Sequence, residues 1–217
     1  MAQSAPPVRV DIVSDVVCPW CIIGYRQLLQ AQELSGIEAE IRWHPFELNP
    51  DMPDEGQDLR EHIAQKYGST PEQSQSSRDR ITALGADLGF DFRFTPEMRM
   101  WNTFRAHQLL DWAEEDGHQT ALKEALFAAH FTEGRDVSDP GVLVEVAAEA
   151  GLDPARARDV LESGSHASRT RSKQRFWIER GVSGVPAMVF AGRYLVTGAQ
   201  GPDTYAGLLR RCQSEAA

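Results

Sequence analysis

The motif Cys18-Pro-Trp-Cys21, set directly behind the β-branched run Val8-Arg-Val-Asp-Ile-Val-Ser14, constrains this chain more than any other feature. A short run rich in Val and Ile, bounded by polar residues, reads as a strand. Pro19 suits the first position of a helix, where its missing N–H has no intrahelical partner to lose. The motif therefore predicts a strand-to-helix junction with the Cys18 sulfur at the helix N-terminus. Unpaired backbone N–H groups and the positive end of the helix dipole favour thiolate there, which makes Cys18 the expected nucleophile. Cys21 lies one turn further on and can reach back as the resolving thiol.

The helix is expected over Pro19 to Leu34 and stops at Ser35-Gly36. Ile37 to Phe46 then reads as a second strand, bounded by Pro45 and Pro50, and the βαβ order makes the two strands parallel. From Leu59 to Arg180 the pattern is helical. A capping side chain precedes a first-turn proline at Thr70-Pro71, Thr95-Pro96, Asp139-Pro140 and Asp153-Pro154, each a predicted helix start. Glu72 to Arg78 reads as a solvated helix face or loop. After Gly181 the period returns to two: Ala187 to Phe190, a turn at Gly192 and Tyr194 to Thr197 form a hairpin, and Pro202 to Cys212 a closing helix. The predicted class is α/β, βαβ…ββα with a large all-helical insertion. Residues 1–58 and 165–217 make the discontinuous sheet domain, and 59–164 the insertion.

With 217 residues and 41% hydrophobic composition the chain buries a core without disulfide staples, and a net charge of -10 repels phosphate backbones and anionic lipid. Nucleic acid and membrane are therefore not expected partners. Met1 to Pro7 lacks the charge and apolar run of a signal peptide and reads as a short disordered leader, so a cytoplasmic location is expected. Cysteines occur only at 18, 21 and 212, too few for a disulfide framework, which leaves the close pair redox-active or metal-binding. A closed zinc site needs four ligands, and the histidines at 44, 62, 107, 118, 130 and 166 show no paired ligand spacing, so no metal is expected. Cys212 reads as a small apolar core residue.

These features together resemble the DsbA-like thioredoxin-fold family, and within it the FrnE-like branch. The resemblance is carried by Ser14-Asp-Val-Val-Cys-Pro-Trp-Cys21, Pro45-Phe-Glu-Leu-Asn-Pro50, Asn102-Thr-Phe-Arg-Ala-His107, Glu124-Ala-Leu-Phe127, Ala150-Gly-Leu-Asp153, Gly181-Val-Ser-Gly-Val-Pro186 and Gly198-Ala-Gln200. It implies a thioredoxin-like fold with a helical domain over it. It also implies a cis Val185–Pro186 bond beside the sulfurs, where base rates alone favour trans, and a Val185 backbone that pairs with extended substrate. The chain departs from the family at Ala187-Met188, which bears on the groove floor, and in the basic run Arg169, Arg171, Lys173, Arg175. That run reads as a solvated helix face before it reads as a dock for acidic substrate.

Asp15 and Asp11 are rival candidates for a proton relay to the thiols; Asp15 also suits a loop cap, and Asp11 sits where burial needs compensation. Trp20 offers a flat apolar surface to substrate, or packs over the helix start. Asn102 and His107 read as capping or core hydrogen-bonding residues in an insertion that overhangs the site. The expected activity is thiol–disulfide exchange on protein or small-molecule substrates, as reductase or isomerase more than oxidant. No cofactor is expected to be bound, and glutathione is a candidate co-substrate. The alternative is a glutathione-dependent isomerase or kappa-type transferase acting on a small aromatic or electrophilic metabolite. Such relatives usually carry serine at one or both motif positions. A peptide dock without chemistry would leave both cysteines without a use.

Overall fold

In the computed structural model, which describes residues 6–216, the N-terminal run becomes β1 (Val8–Ser14) and the cysteine motif opens α1 (Pro19–Ser35). Residues 1–5 of the expected leader lie outside the described residues. Helix α1 ends at Gly36, whose φ of 70° is the left-handed conformation that glycine adopts without steric cost. The chain returns as β2 (Ala39–Pro45), parallel to β1 with Val8 opposite Ala39 and Ser14 opposite Pro45. Two strands near the C-terminus, β5 (Ala187–Phe190) and β6 (Tyr194–Thr197), form the predicted hairpin. Strand β5 runs antiparallel to β1, which gives a four-stranded mixed sheet in the order β2-β1-β5-β6.

Because β1 is central and covered on both faces, each of its residues except Arg9 is buried, the charged Asp11 included. Val10 and Ile12 pack with Met188 and Phe190 under α1 and the closing helix α9 (Pro202–Ala216), where Tyr205 and Leu209 are fully buried. Val13 and Ala187 face the other way, into a smaller cluster with Phe46, Trp177 and Val182.

Between β2 and β5 the chain is mainly helical: α2 (Leu59–Tyr67), α3 (Pro71–Asp87), α4 (Phe104–Glu115), α5 (Gln119–Phe131), α6 (Pro140–Glu149), α7 (Pro154–Ser163) and α8 (Ala167–Ile178). Three of the four predicted starts hold through their caps. Thr70 and Gln73 close a reciprocal capping box, Asp139 accepts from Val142 N at 2.9 Å, and Asp153 accepts from Ala155 N at 2.8 Å. No helix begins at Thr95-Pro96; a turn there leads into β4 (Arg99–Met100), which pairs with β3 (Gln57–Asp58). The cause is packing. Phe92 meets Phe131 edge-on at 5.2 Å, and Arg93 N donates to Phe131 O, so the segment is held extended against the end of α5. The insertion is thus not all helical: its β4 pairs with β3, which lies just ahead of residue 59. Among the described residues no helix is long and apolar enough to cross a membrane.

The basic run on α8 is not simply solvated. Arg169 pairs with Asp111 and Glu115, Lys173 with Asp111 and Glu114, and Arg171 with Glu47, so three of its four charges tie α8 to α4 and to the loop after β2. Arg175 remains exposed.

Candidate active site

Cys18 sits at the N-cap of α1 with extended backbone, φ -101° and ψ 109°, and Pro19 occupies the first turn as expected. Both cysteines of the motif are free thiols. Cys21 is fully buried and Cys18 is 3% exposed, so Cys18 is the outer sulfur. Its Sγ lies 3.7 Å from Val185 O, and the Val185–Pro186 bond is cis. Thus the motif and the Gly-Val-Pro segment, 167 residues apart, meet at one sulfur. Gly24 permits this approach: a Cβ there would come within 3.2 Å of Met188 Cε and 3.4 Å of Pro186 Cγ. Ala187 and Met188 are fully buried, so the departure from the family at these positions alters the core beneath Pro186 and not an exposed groove floor. Trp20 is half-buried, with the Arg80 guanidinium of α3 over its ring at 5.7 Å.

The thiol electrostatics differ from the helix-terminus expectation. In the reduced pair the Cys18 thiol is pushed well up, first by its side-chain hydrogen bond with Cys21, then by burial and by negative charge on Cys21 and Asp15. The Cys21 N–H at the helix mouth pulls the other way and is outweighed. Two sulfurs in contact titrate as a unit, and the pair resists a second negative charge.

Of the two aspartates, the structure brings Asp15 to the thiols. Asp15 is completely buried beneath the motif. Its Oδ1 accepts from Val16 N at 2.8 Å and meets His107 Nε2 at 3.2 Å, and its Oδ2 accepts from Leu48 N at 2.7 Å. Burial acts to raise its pKa, but His107, the Leu48 N–H and the charge of Lys123 outweigh it and hold the carboxyl below its usual range. Asp11 lies elsewhere. It is held by Arg9 Nη2 and His44 Nε2, both at 2.7 Å, and it lines a cleft of about 1010 Å³ that includes Trp177 and Val189 but none of Cys18, Cys21, Trp20 or Pro186. Burial opposes its ionisation too, and these two partners overcome it. That cleft is separate from the cysteine site.

His107, read from sequence as a capping or core residue, is therefore Asp15's partner across 92 positions. Asn102 does cap: its Oδ1 accepts from Phe104 N at 3.0 Å and its Nδ2 donates to Met52 O at 2.9 Å. Sequence reasoning missed Lys123. This side chain of α5 is 1% exposed, its ammonium lying over the rings of Trp43 at 5.4 Å and Phe127 at 5.0 Å. No carboxylate among the described residues is within ion-pair distance of it, and burial pulls it down to about 8 despite the charges of Cys21, Asp15 and Cys18. Lys123 and His107 border one small void of about 10 Å³, roughly the room one water needs. Its position inside the apolar repeat Leu122, Leu126, Phe127 was the available signal, since a lysine on a helix's inward face is a buried charge. Cys212 is buried in the core of α9, as read. Among the described residues no group of three or more His, Cys, Asp or Glu is placed to hold a metal ion.

Known proteins share this fold. A probable DsbA oxidoreductase of Streptomyces coelicolor is 32% identical, with a TM-score of 0.89 over 96% of this chain and 91% of its own. The cytosolic disulfide reductase DsbM of Pseudomonas aeruginosa shares the fold, with a TM-score of 0.64 and 21% identity over 96% of this chain and 100% of its own. An uncharacterized Bacillus subtilis protein, YwbO, is 25% identical over 199 residues, 91% of this chain and 94% of that one. The family model of the DSBA-like thioredoxin domain matches residues 9–210, nearly the whole chain, and the chain belongs to this family.

Proposed function

We propose that the chain is a thiol–disulfide oxidoreductase or isomerase in which Cys18 attacks and Cys21 resolves. The observation that carries this reading is the meeting of the outer sulfur of a free dithiol with the Val185 carbonyl at the cis proline. In the reducing direction, the Cys18 thiolate attacks one sulfur of a substrate disulfide; the substrate S–S bond breaks and its leaving sulfur takes a proton. Cys21 then attacks the Cys18 sulfur of the mixed disulfide and gives up its proton, and the second substrate thiol leaves. Two electrons and two protons have passed to the substrate, and the protein holds a Cys18–Cys21 disulfide. Asp15, backed by His107, is the group beneath the motif that accepts the Cys21 proton. Trp20 and the Val185 backbone are proposed to bind the extended substrate beside the sulfurs.

The direction we propose is the reducing or isomerising one. A strong oxidant needs a stabilised reduced form with a depressed nucleophile, whereas here the Cys18 thiol is pushed up, which favours reductase or isomerase. Such a pair suits the reducing cytoplasm, where glutathione serves as recycling thiol with no bound cofactor. The test is Cys18→Ser, expected to abolish reduction of the disulfides of insulin, while Cys21→Ser accumulates a mixed disulfide with substrate. Undiminished turnover in Cys18→Ser would overturn the reading. Activity that survives Cys21→Ser with glutathione and an electrophilic substrate would instead indicate a transferase or isomerase of small metabolites.

A further inference from the structure

Between the motif and the insertion lies a cavity of about 110 Å³ that the exchange chemistry alone does not use. Val17 and Pro19, the two neighbours of Cys18, form one wall, and the rest is mainly apolar, with Ile63, Ile81, Met98 and Phe131. A dry apolar cavity of about 150 Å³ accommodates benzene, so this one holds a group between an isobutyl and a phenyl ring. Two polar features point to an occupant. His130 borders the cavity with its side chain buried, and its Nδ1 has no partner among the described residues. Burial pulls that imidazole down to about 4, so it is neutral and presents a hydrogen-bonding atom without a charge.

The second feature is Arg78 at the rim, on α3. Its guanidinium donates to Ser74 Oγ at 2.7 Å and Gln75 Oε1 at 2.8 Å, both neutral, and no carboxylate lies within ion-pair distance among the described residues. Burial and Arg60 destabilise its charge, and only the exposed Asp79 opposes them. Arg80, also on α3, stands over Trp20, so two guanidiniums of this helix lie beside the motif. A half-buried guanidinium without a counter-ion, beside an apolar hole of side-chain size, is complementary to an anion attached to an apolar group.

Resting on the thiol–disulfide reading of Cys18, we infer that this cavity selects substrates: it receives an apolar side chain next to the substrate's disulfide cysteine, and Arg78 takes a carboxylate on the same molecule. The substrate class is then a peptide-like disulfide that is apolar and anionic at the scissile cysteine.

The test uses the reduced protein and three disulfides, the symmetrical dimers of Cys-Phe, Cys-Gly and Cys-Phe amide. Single-turnover oxidation is followed by tryptophan fluorescence, and rates are divided by those of dithiothreitol to remove intrinsic reactivity. Burying a phenyl group predicts a preference of about tenfold or more for Cys-Phe over Cys-Gly. Ile81→Phe, which fills the cavity, collapses that ratio. Ser77→Phe, from an exposed position at the rim, does the same should the core variant fail to fold. Amidation slows the native protein, and Arg78→Gln removes the difference between acid and amide. Equal rates for Cys-Phe and Cys-Gly, or a preference that survives both plugging variants, overturn the inference while exchange continues. Reaction with none of the three overturns the thiol–disulfide reading beneath it.

Discussion

Lys123→Met tests whether a buried cation sits behind the dithiol. Its ammonium is pulled from an ordinary value of 10.5 to about 8, chiefly by burial. A folded-state pKa below the unfolded one means that the unfolded chain holds the proton more tightly, so protonation penalises the fold. The penalty is fully present below pH 8 and disappears as pH rises through 10.5. At 1.36 kcal/mol per pKa unit the shift costs about 3 kcal/mol at pH 7 and about 1 kcal/mol at pH 10. Methionine keeps the length of the side chain and its contacts with Trp43 and Phe127 but carries no charge. Part of the gain is returned, because Asp15 loses a favourable cation. The variant is therefore expected to be more stable than the native protein by about 2 kcal/mol at pH 7, a rise in Tm of about 5 °C for a chain of this size. That gap narrows by pH 10. The measurement is urea unfolding of both reduced proteins from pH 7 to 10, where cysteines and tyrosines common to both cancel in the difference. Parallel stability profiles would show that Lys123 is not a buried charge, and its contribution to holding the Asp15 carboxylate would fall with it.

Asp15→Asn is expected to slow resolution of the mixed disulfide by about 100-fold, read by stopped-flow mixing, because it removes the proton acceptor beneath the thiols. Asp11→Asn, on the other cleft, leaves that step nearly unchanged and registers in urea unfolding instead, so equal effects of the two substitutions would refute the assignment. Gly85→Ala puts a Cβ 2.3 Å from Phe92 Cδ2 and is expected to cost about 1–3 kcal/mol in chemical denaturation. Asp58→Ala removes the acceptor of Arg60 N and Glu61 N at the start of α2 and costs about 1 kcal/mol by the same measurement.

Much of this protein is written locally. The run at 8–14, Pro19 behind Cys18, Gly36 after the helix, and the Asp-Pro and Thr-Pro starts each specify backbone through signals within a few residues: β-branching, a missing N–H, a capping oxygen, a glycine at positive φ. Those signals yielded the strand-helix-strand unit, the hairpin and the two sulfurs one turn apart. They misled at Thr95-Pro96, where the alternation of Phe90, Phe92 and Phe94 and then of Met98 and Met100 was the stronger message, because contacts with α5 and β3 override a capping preference. Neither the choice of Asp15 over Asp11 nor the link to His107 has any local signature. The two aspartates lie in the same strand and the loop that follows it, and only folding sets Asp15 against α4 and Asp11 against Arg9 and His44. The height of the Cys18 pKa, the burial of Lys123, the ion pairs of α8 and the cavity beside Pro19 are likewise properties of assembled surfaces. Desolvation and pairing depend on what packs around a group in space, and a linear sequence records the group without recording its surroundings.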